Sequence, residues 1–171
     1  SANWDTAQTV TVTGADDDII DGTITSTITV SVNDGSSDNN FDSVSDQTVS
    51  VSTTDDDVAG FTVAETDSST SVSESGSTDT FTVVLDAQPN SPVVIALTSS
   101  DSGEATSNSP LTFTSTNWDT PQTVTVTGVD DDIIDGSVSS TLTITIVDAN
   151  SDDDFDAVAD QTVSVTTTDD D

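Results

Sequence analysis

Asp130, Asp131, Asp132 and Asp135 stand close together in the chain, and the same spacing recurs at Asp16, Asp17, Asp18 and Asp21. Three adjacent carboxylates repel one another in any compact state. At an effective dielectric near 20, two unit charges ~4 Å apart cost about 4 kcal/mol. The 171 residues include no Lys, Arg or His to offset this, against 33 acidic residues, for a formal net charge of −33. The chemistry open to such a cluster is capture of a hard cation by oxygen. Calcium suits it, taking about 6–8 oxygens from carboxylates, carbonyls and water. Magnesium prefers few carboxylates and several waters, and zinc calls for His or Cys. A solvated acidic loop, on a surface whose excess charge serves solubility, is the alternative.

The same composition excludes other functions. Phosphate backbones are held by Lys and Arg, so nucleic acid is not a partner. Attraction to anionic membranes fails for that reason too, and no apolar run approaches the length of a membrane span. His, Cys, Lys, Arg and Tyr are all missing, which removes nearly every nucleophile and general base. Paired carboxylates could serve glycoside hydrolysis, but here they recur in turn-like stretches, and the expectation is no enzyme. Without cysteine no disulfide can form, and small extracellular β-proteins lacking such staples often use metal ions.

The elements that must position the acids follow from an internal repeat. Residues 1–57 align without gaps onto residues 115–171, and 39 of the 57 pairs are identical. The chain thus divides into 1–57, the carboxy-terminal half of a preceding repeat, and 58–171, a complete repeat. Identity this high suggests a longer array made by duplication.

Thr and Val dominate, and apolar residues alternate with Thr and Ser, the mark of half-buried strands and not of a disordered acidic tail. The complete repeat reads as seven strands. They are 61–64, with a weaker pairing segment near 71–73, then 80–86, 93–98, 111–114, 122–127, 138–147 and 161–167. Residues 99–109 read as a polar loop, and no helix is predicted. This is the pattern of an all-β, seven-stranded Greek-key, Ig-like sandwich. In such a sandwich the loops after the third and fifth strands and the exit after the seventh share one end, and the acids gather there. The acidic loop 148–156 falls at the opposite end, as a weaker metal site or a solvated loop. The half repeat should hold the last three strands, whose apolar face stays open unless other chain covers it. Phe61, Phe81 and Phe113 are core candidates. Phe41 and Phe155 should plug their acidic loops, and Trp4 and Trp118 should pack over the sandwich edge.

Val72-Ser73-Glu74, Thr80–Leu85, the run from Gln122 to Asp132 and the terminal Thr168-Asp169-Asp170-Asp171 together resemble a Calx-β domain. This is the calcium-sensing sandwich of sodium/calcium exchangers, found also in long bacterial surface proteins. The tandem bacterial branch is the nearer resemblance, and it covers 58–171 with 1–57 as a partial copy. It implies a cluster of Ca2+ ligands at one end of the sandwich. These would be Glu74, Asp101, then Asp131, Asp132 and Asp135, then Asp169, Asp170 and Asp171. In the half repeat they would be Asp17, Asp18, Asp21, Asp55, Asp56 and Asp57. Gly136 ends the acidic run earlier than in the exchanger branch, which points to fewer ions than the full cluster.

The function these features imply is a calcium-binding structural repeat that stiffens an extracellular adhesin stalk or surface fibre, its partners being neighbouring repeats of the same chain. Two rivals stand beside it. One is a filament subunit completed by strands of an identical chain. The other is a carbohydrate or cell-surface binding module, to which two Trp and no Tyr contribute little.

Overall fold

In a computed structural model, residues 3–171 are described. They form eleven strands and five short 3-10 turns. The strands are β1 (Ile24–Val30), β2 (Gln47–Thr53), β3 (Phe61–Glu65), β4 (Thr70–Ser73), β5 (Thr78–Leu85), β6 (Val93–Ser99), β7 (Ala105–Ser107), β8 (Leu111–Phe113), β9 (Gln122–Gly128), β10 (Val138–Ile146) and β11 (Gln161–Thr168). Two compact units result. One comprises residues 1–17 and 21–55, the other residues 18–20 and 56–171.

The larger unit is an all-β sandwich. Its five-stranded sheet runs β4-β11-β10-β6-β8 and its four-stranded sheet β3-β5-β9-β7. Every strand-to-strand pairing is antiparallel except β4 on β11, and an isolated parallel bridge joins Ile19 to Gln88. The period-two pattern decides which side chains meet. Phe81 and Val83 of β5, Val124 and Val126 of β9, and Leu142 and Ile144 of β10 are fully buried between the sheets. Cross-strand neighbours Leu142/Val163 and Ile144/Leu97 extend that core along one sheet. Phe61 and Phe113 join it as predicted, Phe155 plugs it from its acidic loop, and Trp118 packs against it half-buried.

One strand escapes the sequence reading. Residues 99–109 are not a plain polar loop, because Ala105–Ser107 forms β7 on the edge of β9. Ala105 supplies the single buried apolar side chain of this short strand, too little for alternation to reveal.

The smaller unit is an antiparallel β1-β2 hairpin with Ile28 opposite Val49. The predicted third strand is absent. Gln8–Gly14 has the same seven residues as β9 yet forms no strand. The reason is partnership: β9 is hydrogen-bonded on both edges, to β5 and to β7, and nothing in residues 1–57 corresponds to those strands. Val10 is 76% exposed where its counterpart Val124 is 0%, and Phe41 is 58% exposed where Phe155 is 0%. Phe41 is therefore no plug here, and Trp4 lies exposed and covers no edge. Structure that needs no distant partner survives. The 3-10 turns Asp34–Ser36 and Asn39–Phe41 repeat at Asp148–Asn150 and Asp153–Phe155.

Candidate metal centre

Two glutamates define the site, and both sit where a strand ends. Glu74 follows β4, its N–H donating to Thr168 O of β11 at 3.0 Å. Glu104 precedes β7, its carbonyl accepting from Val129 N–H at 2.9 Å and from the Thr167 hydroxyl at 3.4 Å. Gly128 closes β9 against this corner. A Cβ on it would meet Ser73 O at 2.1 Å and Ser73 C at 2.7 Å, so only glycine lets the backbone leading to Glu74 lie this near the start of the acidic loop.

The carboxylates then converge. One oxygen each from Glu74, Asp169 and Asp171 lies within 4.8 Å of the others, and so does one each from Glu74, Glu104 and Asp135. Glu74 belongs to both groups, making five carboxylates around one corner. Glu74 is 1% exposed and Glu104 6%. The Oε2 atom of each is buried without a hydrogen-bond partner. A buried acceptor left unpaired is costly, and two of them on glutamates that belong to these carboxylate groups mark a place where positive charge fits. All donors are oxygens, so the set suits calcium and not zinc.

Local backbone holds the aspartates in place. Asp169 accepts through Oδ2 from Gly136 N–H and through Oδ1 from Asp171 N–H, each at 2.8 Å. Gly136 has φ of 75°, a left-handed turn that aims its N–H back at Asp169. Asp131 accepts from Ile133 N–H at 2.7 Å and Asp101 from Gly103 N–H at 3.0 Å.

The electrostatics match. Burial, and after it the charges of Asp169, Asp131, Glu104 and Asp135, push Glu74 up to about 7. Burial raises Glu104 too, and after it the charges of Asp135 and Asp101. Asp171 is raised by burial and then by Asp132. Asp169 moves the other way, held low by the N–H groups of Asp171 and Gly136. One carboxylate is thus kept ionised while its neighbours resist ionising, and a cation would relieve all of them.

Of the residues predicted from sequence, Glu74, Asp135, Asp169 and Asp171 meet in the two groups. Asp101, Asp131 and Asp132 lie close enough to act on them through charge, as does Asp170 on Asp171. Glu104 was missed. Its signal was slight: it is one of three glutamates among thirty aspartates, and it stands beside the overlooked β7. The third, Glu65, accepts from the Thr70 hydroxyl instead.

Among the described residues, Asp17, Asp18, Asp21, Asp55, Asp56 and Asp57 form no such three-carboxylate group. The counterparts of Glu74 and Glu104 would fall before residue 1, outside the described residues. The half repeat retains the local clasp, with Asp55 accepting from Asp21 N–H at 3.0 Å and Gly22 N–H at 2.7 Å. At the opposite end of the larger unit, Asp152 is buried and accepts from Ser91 N–H at 2.6 Å and Asp154 N–H at 3.2 Å. That loop is organised by hydrogen bonds around Asp152 and by the Phe155 plug.

No known protein family matches the chain by sequence, and no curated protein does. Solved structures do resemble it. The apo-form Calx CBD1 domain is 13% identical over 65% of this chain and 98% of its own, with a TM-score of 0.45. The S-layer protein rSbsC(31-844) is 23% identical over 71% of this chain, with a TM-score of 0.42. The SafA pilin–SafB chaperone complex of Salmonella enterica is 10% identical over 64% of this chain, with a TM-score of 0.42. The chain spans 15% of the S-layer chain and 54% of the pilin–chaperone chain. The likeness to each is one of β-sandwich architecture.

Proposed function

We propose that residues 58–171 are a calcium-binding structural repeat of an extracellular surface protein, and that the ion stiffens the chain where one repeat leads into the next. A single observation carries this reading: Glu74 and Glu104 bury Oε2 atoms with no partner beside Asp135, Asp169 and Asp171. Bound calcium would supply the positive charge that this corner lacks. Asp169 and Asp171 belong to the exit from β11, so fixing them fixes the direction in which the chain leaves the sandwich. Without the ion the exit acids repel Glu74, and the segment after β11 is a hinge.

The test is thermal melting of the full chain, and small-angle scattering of the chain extended past Asp171 by a second copy of residues 58–171, in calcium and in EGTA. An ion that binds only the folded state stabilises it by about 2.7 kcal/mol at a hundredfold excess over Kd. For a unit of this size that is a rise of roughly 10 °C. The gain should be lost in Glu104→Gln and kept in Asp17→Asn. Equal melting temperatures and equal maximum dimensions in calcium and EGTA would refute the proposal.

A further inference from the structure

The geometry points to a docking surface on residues 1–57, and to one occupant: a half-repeat of the 58–114 type, contributed by a further repeat. In the larger unit, residues 115–171 are covered by residues 58–114. There β5 and β7 flank β9, β6 pairs with β10, and β4 runs parallel to β11. Residues 1–57 repeat 115–171 at 39 of 57 positions and leave the matching face bare. Val10, Val12, Val30, Val49 and Phe41 are all exposed large apolar residues, while their counterparts Val124, Val126, Ile144, Val163 and Phe155 are buried. The Gln8–Gly14 backbone has no ladder on either edge, although the same seven residues form a strand once partners flank them. The face is therefore complementary to a segment with the strands and side chains of 58–114.

A second copy of residues 1–171 does not meet this need. Residues 1–171 hold one 58–114 segment and two carboxy-terminal halves, 1–57 and 115–171. Lending that segment to a neighbour uncovers its own 115–171, so every swap exposes as much apolar face as it covers. The occupant has to come from an additional repeat. Docking does not depend on the calcium reading, because the complementarity lies in strands and apolar side chains.

The experiment places an extra copy of residues 58–114 directly ahead of Ser1 in the full chain, with Trp118→Phe so that emission reports Trp4. It is run in EGTA and about 0.5 M sodium chloride, where repulsion between acidic segments is screened within a few ångströms. Amide exchange of residues 8–13 should slow by roughly 100-fold or more, as for a core strand, and Trp4 emission should shift to the blue. Putting Asp at the added copy's counterpart of Phe81 should abolish both effects. The original residues 58–171 remain in every chain, and their exchange shows that the protein is folded. Unchanged exchange at residues 8–13 in the extended chain would overturn the proposal. So would protection of those residues in the unextended chain with a dimeric mass, which would make a second copy the occupant.

Discussion

Gly128→Ala and Gly14→Ala change the same residue in the same local sequence, Gln-Thr-Val-Thr-Val-Thr-Gly, and should give opposite results. At Gly128 the new methyl would sit 2.1 Å from Ser73 O, 2.7 Å from Ser73 C and 3.3 Å from Ser73 N. All three are backbone atoms, so no rotamer change relieves the clash. Strands β4 and β9 must move apart, straining the Gly128 N–H bond to Ser77 O at 3.0 Å. Overpacking of this kind costs about 1–3 kcal/mol, and the rigidity of both partners puts this case near the upper end. At about 4 °C per kcal/mol for a unit of this size, melting should fall by roughly 12 °C. Gly14 meets only the Thr53 side chain, at 3.5 Å, an ordinary contact. There alanine should be neutral or stabilising by up to about 1 kcal/mol, through the lower entropy of the unfolded chain. The assay is thermal unfolding followed by far-ultraviolet circular dichroism, which reads the strands of both units. Equal effects of the two substitutions would refute the claim that the β4–β9 approach, and not the local sequence, requires glycine.

Two further predictions follow from the two ends of the sandwich. In EGTA, stability should fall as pH rises from 5 to 8. Glu74 stands at about 7 against an ordinary 4.5, so folding takes up a proton there. Its contribution is complete below the ordinary value and is lost as pH passes through about 7. Glu104 and Asp171, also raised, act in the same direction. Asp169 is held low, so its contribution persists through this window and is lost only in stronger acid. Urea midpoints that climb between pH 5 and 8 would contradict this. At the opposite end, Asp152→Ala leaves the N–H groups of Ser91 and Asp154 without their acceptor and should cost about 1–3 kcal/mol in urea unfolding. The calcium response should be unchanged, and a response that vanished with Asp152 would place the ion at the wrong end.

Sequence pattern is a good guide where a feature is local or periodic. The alternation in 122–127 and 138–147 predicts strands, and β9 (Gln122–Gly128) and β10 (Val138–Ile146) form there in the larger unit. The turns around Asp148–Asn150 and Asp34–Ser36 arise alike in both contexts. Pattern misleads where tertiary partners decide. Gln8–Gly14 alternates as well as β9 does, yet a strand needs hydrogen-bonding neighbours on its edges, and that information lies outside the segment. Glu104 was hidden for a related reason. Its place at the site depends on the pairing of β7 with β9, a three-residue ladder whose sequence has no visible period. The acidic loop and the exit aspartates were legible because charge without a counter-charge needs no fold to be noticed.

The parallel pairing of β4 with β11 also sets how the sandwich carries a mechanical load. A pull applied at residue 58 and at Asp171 first loads β3 against β5, and once β3 yields it reaches β4 at its beginning and β11 at its end. The two strands point the same way, so the pull tries to slide one along the other. The pairs Thr70/Val165, Ser71/Thr166, Val72/Thr167 and Ser73/Thr168 are then strained together instead of opening one after another. The Glu74 N–H bond to Thr168 O lies at the end of that ladder, beside Asp169. Tension along the chain therefore runs through the corner where the carboxylates meet.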